Sequence, residues 1–228
     1  IFASRIFGDR AYIVTFQQVD PVYVIDLANP TDPKILGELE IPGFSTYLQP
    51  IGDNLLLGVG RDATDDERPL FKGINVRLFD VSDPIQLSVL SDISIGRRGT
   101  ETPVSWNPHA FTMLFDPISE TYKVTIPVRV HGEHVPDNDE LEPWRYYPWT
   151  REALYMFEVQ GDELRQTGTV VANDFDTGYR FAPNCCSWEE RSFLNGDLVH
   201  YLRNNRLHTA FWDTPETVDV AFIPTVFD

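Results

Sequence analysis

Two closely spaced histidines are the residues of this sequence whose type and spacing come nearest to a metal site. His131 and His134 form the tetrapeptide HGEH. Imidazole is a frequent ligand of transition metals, and Gly132 permits the backbone turn that would aim both rings at one ion. The spacing is not that of the helical HExxH motif. Two interpretations follow: a metal site in a loop, or polar residues of a solvated loop.

An acidic loop, GRDATDDERPLFKG, offers oxygen ligands of the kind that calcium prefers. Asp62, Asp65, Asp66 and Glu67 lie within six positions. The loop lacks the glycine turn and ligand spacing of a known calcium loop. Calcium or another divalent cation is therefore one interpretation, and a solvated acidic loop is the other.

Aromatic side chains crowd the segment EPWRYYPW. Flat rings with polar edges suit the binding of a sugar or a protein surface. The same rings can also anchor a long insertion against the sheet beneath it. Both interpretations stay open for the five residues of this candidate partner site, which are Trp144, Arg145, Tyr146, Tyr147 and Trp149.

The two cysteines of the chain, Cys185 and Cys186, are adjacent. A disulfide between neighbours strains the peptide that joins them, so free thiols or pairing with cysteines elsewhere are the alternatives. The sequence contains no GxSxG, Walker-type or GxGxxG motif. The chemistry-bearing residues alone therefore favour a protein without catalytic activity.

Composition limits the partners of the whole chain. With 42% apolar residues, the 228-residue chain has the composition of a globular protein. The 35 acidic and 18 basic residues give a net charge of −17, which repels phosphate backbones, so nucleic acid is not expected as a partner. No apolar run is long enough for a membrane span. The chain begins at Ile1 without a signal segment, and we expect further residues before it.

A pattern of glycine or aspartate turns, apolar strands and proline-containing turns occurs four times along the chain. The first copy contains RIFGDRAYIVTF, VYVIDLANPTDP and KILGELEIPG, and the second contains YLQPIGDNLLLGVG, INVRLFDVSDP and LSVLSDISIG. HAFTMLFDPISETYKVTIPV and RSFLNGDLVHYL begin looser third and fourth copies. Gly-Asp pairs at 8–9, 52–53 and 196–197 fall in equivalent places, which favours a true repeat over chance similarity in a β-sandwich.

Repeats of this length, each with about four short strands, are typical of β-propeller blades. The sequence therefore predicts an all-β propeller with four four-stranded blades in this chain, as part of a larger ring. The predicted blades cover 1–43, 44–96, 97–173 and 174–228. Between KVTIPVRV and ALYMFEV the chain is too long for a hairpin loop, which predicts an ordered insertion at 131–150 in the third blade.

The stretch from SRIFGDRAYIVTF to LLLGVGRD, followed by LFDVSDP, resembles the secreted C-terminal β-propeller domain family of bacteria and archaea. VYVIDLANPTDP and VRLFDVSDP are also similar to the LVIVD-type repeat of surface propellers. The resemblance is strongest over 4–95 and continues through HAFTMLFDP and EERSFLNGDLVHYL. It implies a propeller that is secreted, periplasmic or exposed on the cell surface, and longer than this chain; it implies no particular reaction.

Two classes of function follow from these observations. The first is a non-catalytic binding or scaffold module, with a protein or glycan as ligand and the remaining blades of the same protein, or another chain, as structural partners. The second is a hydrolase with a divalent cation on the propeller axis, held by His109 in NPHAF and by carboxylates of other blades. A structural role in hydrogen bonding is the alternative for His109. We favour the binding module.

Overall fold

Nearly all regular structure in this chain is β-strand. The computed structural model describes residues 1–15, 20–64, 70–133, 146–174 and 190–223. Within these ranges, two single turns of 3₁₀ helix, Pro103–Ser105 and Pro108–Ala110, accompany the strands. No helix in the described ranges is long and apolar enough to cross a membrane.

The first eight strands form two antiparallel sheets of four strands, in which neighbours in sequence are neighbours in space. Blade 1 consists of β1 (Ala3–Phe7), β2 (Arg10–Val14), β3 (Asp20–Asp26) and β4 (Lys34–Ile41). Blade 2 consists of β5 (Phe44–Ile51), β6 (Leu55–Ala63), β7 (Phe71–Asp80) and β8 (Ser88–Ile95).

The next eight strands repeat this order in two further four-stranded sheets. Blade 3 consists of β9 (Thr112–Asp116), β10 (Thr121–His131), β11 (Trp149–Gln160) and β12 (Glu163–Asp174). Blade 4 consists of β13 (Arg191–Asn195), β14 (Leu198–Arg203), β15 (Arg206–Phe211) and β16 (Thr214–Phe222). The predicted all-β architecture of four four-stranded propeller blades is confirmed.

The Gly-Asp pairs that mark the repeat are the turns of the first hairpin in three blades. Gly8, Gly52 and Gly196 have φ values of 57°, 55° and 60°, in the left-handed region that favours glycine. Strand alternation follows as expected: Val22 and Val24 of β3 are buried, whereas Tyr23 and Ile25 on the other face are half-buried. The sequence repeat therefore reflects a repeated hairpin geometry.

The apolar core lies in three layers between consecutive blades. Tyr12 and Val24 of blade 1 pack with Phe79 of blade 2 in the first layer. The second layer joins β7 to β10, and the third joins β11 and β12 to β14 and β15. At Gly37 of blade 1 a side chain would place its Cβ 2.2 Å from the carbonyl oxygen of Pro84, so the first two blades approach closely. Each sheet is thus held by burying a face against its neighbour.

The outer faces of blades 1 and 4 have no blade against them in the described residues, where no core layer joins blade 1 to blade 4. The open face of blade 1 includes Ile6 and Ile35, which are 68% and 65% exposed. The open face of blade 4 includes Phe193 and Phe211, which are 47% and 57% exposed. Both faces therefore present apolar sheet surface to solvent.

The two ends of the blades differ in their connections. One end, which we call the turn end, carries the first hairpin turn of every blade. The opposite end, which we call the loop end, carries the connections 96–111 and 132–148, and there β12 ends and β13 begins. Hydrogen bonds from Arg61 to the carbonyl oxygen of Thr100 (3.3 Å) and from Thr112 to that of Ser192 (2.8 Å) bring blades 2, 3 and 4 together at this end.

Candidate functional site

A pocket opens at the loop end between blades 3 and 4. Its interior is small, with room for a group the size of a hydroxyl or a water molecule, and its mouth opens to solvent. Five of its seven lining residues are charged, although most of the surface that they expose to the pocket is apolar. The lining residues are Glu101, Pro103, Trp106, Arg129, Glu152, Glu190 and Arg203.

The segment that links blade 2 to blade 3 supplies one wall of the pocket. The hydroxyl of Thr102 donates to the carbonyl oxygen of Pro127 (2.7 Å) and accepts from the backbone N–H of Val104, so it caps the first 3₁₀ turn. Glu101 pairs with Arg129 of β10 through backbone hydrogen bonds in both directions. These bonds hold Trp106 at the pocket, where its side chain is 41% exposed.

Arg203 is the hub of the opposite wall. It is the last residue of β14, directly before a two-residue turn in which Asn204 and Asn205 both have positive φ. Its Nη2 lies 2.5 Å from Oε1 of Glu152 in blade 3, and its Nη1 pairs with Oε1 of Glu190. One guanidinium therefore joins two carboxylates that arrive from different blades.

Each of these carboxylates has a second, neutral donor. The hydroxyl of Tyr201 donates to Oε2 of Glu190 (2.7 Å), and the amide of Asn173 donates to Oε2 of Glu152 (2.7 Å). Glu152, Glu190 and Arg203 are 1%, 5% and 4% exposed. Buried charges are tolerated in proteins when they are paired and hydrogen-bonded in this way.

Burial and mutual contact change the acidities of the network. Burial raises the pKa of the Glu190 carboxyl, while Arg203 and the Tyr201 hydroxyl act in the opposite direction. Burial also raises the pKa of the Tyr201 hydroxyl, so this group stays a hydrogen-bond donor at neutral pH. For Arg203 burial disfavours the charge, but Tyr201 and the two carboxylates outweigh it and raise the guanidinium pKa. The guanidinium is consequently fixed in its charged form.

Comparison with known proteins places this architecture in a family. A model of the beta propeller domain matches residues 1–214. The chain belongs to the beta propeller domain family. It is also similar to two archaeal proteins described as uncharacterised, one from Methanocaldococcus jannaschii at 54% identity and one from Archaeoglobus fulgidus at 51%, each over 83 residues. Each match covers 36% of this chain and 12% of the relative, so these relatives are much longer than the matched region.

The aromatic candidates of the propeller chain divide between the surface and the interior. Trp144 and Arg145 lie outside the described residues. Tyr146 is 67% exposed at the loop end, with the guanidinium of Arg98 5.1 Å from its ring centre. Tyr147 is half-buried and stacks in the same way with Arg97 at 5.1 Å.

Trp149, the remaining aromatic candidate, is the first residue of β11 and is only 8% exposed. It is paired with His131 in the strand register. Its ring thus contributes to the packing of blade 3, whereas Tyr146 is exposed to solvent.

The histidine candidates are separated where they are described. His109 is exposed in the second 3₁₀ turn. His131 ends β10, and its Nδ1 lies 2.7 Å from the carbonyl oxygen of Tyr147; burial lowers the pKa of this imidazole. His134 lies outside the described residues. Within the described ranges no group of three or more His, Cys, Asp or Glu side chains is arranged to hold a metal ion.

The acidic-loop and cysteine candidates fall largely outside the described residues, which exclude Asp65, Asp66, Glu67, Cys185 and Cys186. Asp62 is described and nearly buried in β6. Its Oδ2 accepts from the hydroxyl of Ser94 (3.0 Å), and its Oδ1 lies 3.8 Å from Arg77. Its carboxylate thus links β6 to Arg77 of β7 and Ser94 of β8 within blade 2.

Sequence reasoning missed the pocket network entirely. Glu152, Glu190 and Arg203 are far apart in sequence, and none belongs to a recognisable motif. One local signal exists: in the strand LVHYLR, Arg203 alternates with the buried Val199 and Tyr201, so it faces the core. A charged residue on a buried face requires a buried partner, and this pattern could have indicated the network.

Replacing the hub of the network should cost far more stability than replacing an exposed arginine. Arg203→Met leaves two buried carboxylates without their cation, and we expect a loss of about 3–5 kcal/mol in the free energy of unfolding. The matched control is Arg165→Met, because Arg165 pairs with Glu158 at the surface, where such pairs contribute about 0–1 kcal/mol. Urea denaturation of both variants measures the difference, and equal losses would contradict the assigned role of Arg203.

His208 should make the propeller chain sensitive to mild acid. It is 4% exposed on β15, and burial together with Arg206 and Arg203 lowers the pKa of its ring. The unfolded chain therefore binds a proton near pH 6.5 that the folded chain binds only at lower pH, so stability falls as the pH drops below about 6.5, by at most about 1.4 kcal/mol per pH unit.

His208→Phe keeps a ring at this position and removes the proton-binding group. Urea denaturation between pH 7 and pH 5 should therefore show a weaker acid-induced loss of stability than the wild-type chain does. His109→Phe is the control, since His109 is exposed in the second 3₁₀ turn and its replacement leaves His208 intact. An unchanged pH dependence in His208→Phe would refute the assignment.

Proposed function

We propose that this propeller chain is a non-catalytic binding or scaffold module, secreted or held at the cell surface or in the periplasm, whose loop end binds a protein or a glycan. The observation that carries the proposal is the pocket between blades 3 and 4, built from buried charged side chains beside the partly exposed Trp106. Binding sites combine concave shape with a few fixed polar groups and an aromatic anchor in this way.

The contrast between the two ends supports the loop end as the binding surface. At the turn end, carboxylates are occupied by their own turns: Asp26, Asp80 and Asp116 accept the backbone N–H of Ala28, Ser82 and Ile118 at 2.8, 2.8 and 2.9 Å. The hydroxyl and the backbone N–H of Ser82 lower the pKa of the Asp80 carboxyl, and the backbone N–H of Ile118 together with the Ser119 hydroxyl lowers that of Asp116. These carboxylates therefore have a local structural role in their turns.

Binding through the loop end is testable without knowing the natural partner. The probes are an array of immobilised oligosaccharides and a library of displayed peptides. For any ligand selected, Trp106→Ala and Tyr146→Ala should each weaken binding by at least about tenfold, because exposed aromatic residues are frequent interface anchors. The melting temperature should change little for Tyr146→Ala, since this residue is 67% exposed, and should fall more for Trp106→Ala, since Trp106 is 41% exposed.

Ile118→Ala is the control for that experiment, because Ile118 is 95% exposed in the turn end of blade 3. Its ligand affinity should equal that of the wild-type chain. If affinity depends on Ile118 and not on Trp106 or Tyr146, the binding surface is at the turn end and the proposal is wrong. If no ligand is selected at all, the binding module is rejected.

The scaffold part of the proposal concerns the open faces of blades 1 and 4. Their exposed Ile6, Ile35, Phe193 and Phe211 resemble the apolar side chains that pack between consecutive blades. Because an interface of this kind already holds blades 1 to 4 together, we propose that the open face of blade 4 packs on the open face of blade 1 in a second copy when the chain is alone.

Sedimentation velocity tests this contact on the purified chain. We expect concentration-dependent association that Ile35→Glu and Phe211→Glu each abolish, because a charge at the centre of an apolar contact opposes burial. Asp162→Lys, a charge change on an exposed residue in the turn between β11 and β12 of blade 3, should leave association in place. A chain that stays monomeric at about 100 μM, well above the dissociation constant of a stable contact, would refute the proposed contact.

A further inference from the structure

One position in each blade is covered by the blade that follows it. It is the third residue of the second strand: Tyr12 in β2, Leu57 in β6 and Lys123 in β10. These residues are 2%, 0% and 7% exposed, and the first two lie in the apolar layers that join their blade to the next one. The same position in blade 4 is His200, which is only half-buried. The repeat therefore indicates that a blade packed on the open face of blade 4 would cover His200.

Lys123 shows how a cation is accommodated at this position. Its Nζ lies 3.2 Å from Oδ1 of Asp197, the second residue of the Gly-Asp turn in the next blade. It also lies 5.2 Å from the ring centre of Trp212 in that blade. A buried cation is tolerated when a carboxylate pairs with it, and here the carboxylate comes from the first hairpin of the following blade.

His200 is held in an orientation that suits a similar pair. Its Nδ1 lies 2.9 Å from the hydroxyl oxygen of Thr209 on β15, and its ring stacks on Phe193 of β13 with the ring centres 4.5 Å apart. These contacts fix the ring and leave Nε2 without a partner in the described residues. Nε2–H can therefore donate a hydrogen bond to a carboxylate that arrives with a covering blade.

Asp9 is the residue of blade 1 that corresponds to Asp197. Each follows the glycine of its Gly-Asp turn, and each turn makes the same backbone hydrogen bond: the carbonyl oxygen of Asp9 accepts from Leu27 and that of Asp197 from Trp212, both at 2.7 Å. Asp9 is exposed, and its carboxylate makes no hydrogen bond or ion pair with the described residues. If blade 1 of a second copy covers blade 4, Asp9 takes the place that Asp197 has against Lys123.

Other charged and titratable groups on the two open faces lie farther from this position. In the described contacts between blades, inner strands pack on inner strands and outer strands on outer ones, as β9 does on β13 and β12 on β16. His200 is on the second strand from the inside, whereas most of these groups are on the third and fourth strands or at the loop end. They are Arg191 and Asp219 on blade 4 and Tyr23, Glu38 and Glu40 on blade 1.

We infer that His200 of blade 4 forms an ion pair with Asp9 in blade 1 of a second copy, so that association of the chain becomes stronger in mild acid. The inference rests on the proposed contact between copies and names two residues that recognise each other within it. Histidine ordinarily gains its charge between pH 8 and pH 5, whereas carboxylates ordinarily stay ionised over this range. We expect the dissociation constant to fall at least about threefold from pH 7.5 to pH 6.0, as for a partly exposed ion pair.

Charge exchange tests the pair, with sedimentation velocity of the purified chain as the measurement. His200→Asp places a carboxylate opposite Asp9, and Asp9→Lys places an ammonium group opposite His200. Each change alone should weaken association at least about threefold at pH 6.0. The double variant restores opposite charges, and its affinity should return to within about twofold of the wild-type value. His200→Lys, which copies blade 3, should associate at pH 7.5 as tightly as the wild-type chain does at pH 6.0.

Asp53→Lys is the matched control, because Asp53 is the exposed residue of the Gly-Asp turn in blade 2, which already has a blade on each side. This variant should associate like the wild-type chain at both pH values. His109→Phe is the control for the general effect of acid, since it removes an exposed histidine outside the open faces and should keep the pH dependence. Circular dichroism checks that every variant keeps its β structure.

The results separate the ion pair from the contact itself. If Ile35→Glu abolishes association but neither pH nor the two charge changes affect it, the ion pair is wrong and the contact between copies stands. The ion pair is also wrong if the double variant associates no better than the single ones, or if His200→Asp retains the full response to acid. A chain that stays monomeric at about 100 μM at both pH values overturns the contact and the ion pair together.

Discussion

Every sheet in this chain has two faces, and burial of those faces against neighbouring sheets is the constraint on which the rest of the structure depends. Blades 2 and 3 bury both of their faces, so their central strands are the most continuously buried of the chain: β7 runs from Gly73 to Phe79 without an exposed residue. A single four-stranded blade cannot bury its apolar faces alone. Stacking of consecutive blades supplies the missing partner for each sheet, and it leaves the two terminal faces open.

The contacts between blades are mostly apolar, and the ionic network of Arg203 is an exception. Two carboxylates and one guanidinium are buried between blades 3 and 4, close to the loop end. A buried ion pair adds little net stability compared with apolar packing, so stability alone does not explain this arrangement. It fixes charged groups at the bottom of a pocket with little freedom to move, which is the property that a binding site requires.

The sequence predicts the repeated hairpins well because their signals are local. The Gly-Asp turns at 8–9 and 196–197 depend on only two adjacent residues. The backbone at Gly8 and Gly196 has the positive φ that glycine favours. The sequence around Trp149 does not predict the position of its side chain. Trp149 belongs by composition to the aromatic segment, yet it is the first residue of β11 and is only 8% exposed. The pocket network is harder still, because its members meet only after blades 3 and 4 have stacked.

Carboxylates have different partners at the two ends of the blades. A turn-end carboxylate such as Asp80 lies within two residues of the N–H that it accepts, so it needs no cation and can be added to the chain at little cost. A loop-end carboxylate such as Glu152 has left solvent and depends on Arg203 and Asn173 from distant parts of the chain. Charge at the turn end therefore serves folding and solubility. At the loop end, Glu152 of β11 joins Asn173 of β12 and Arg203 of β14, so residues that are distant in sequence form one fixed cluster.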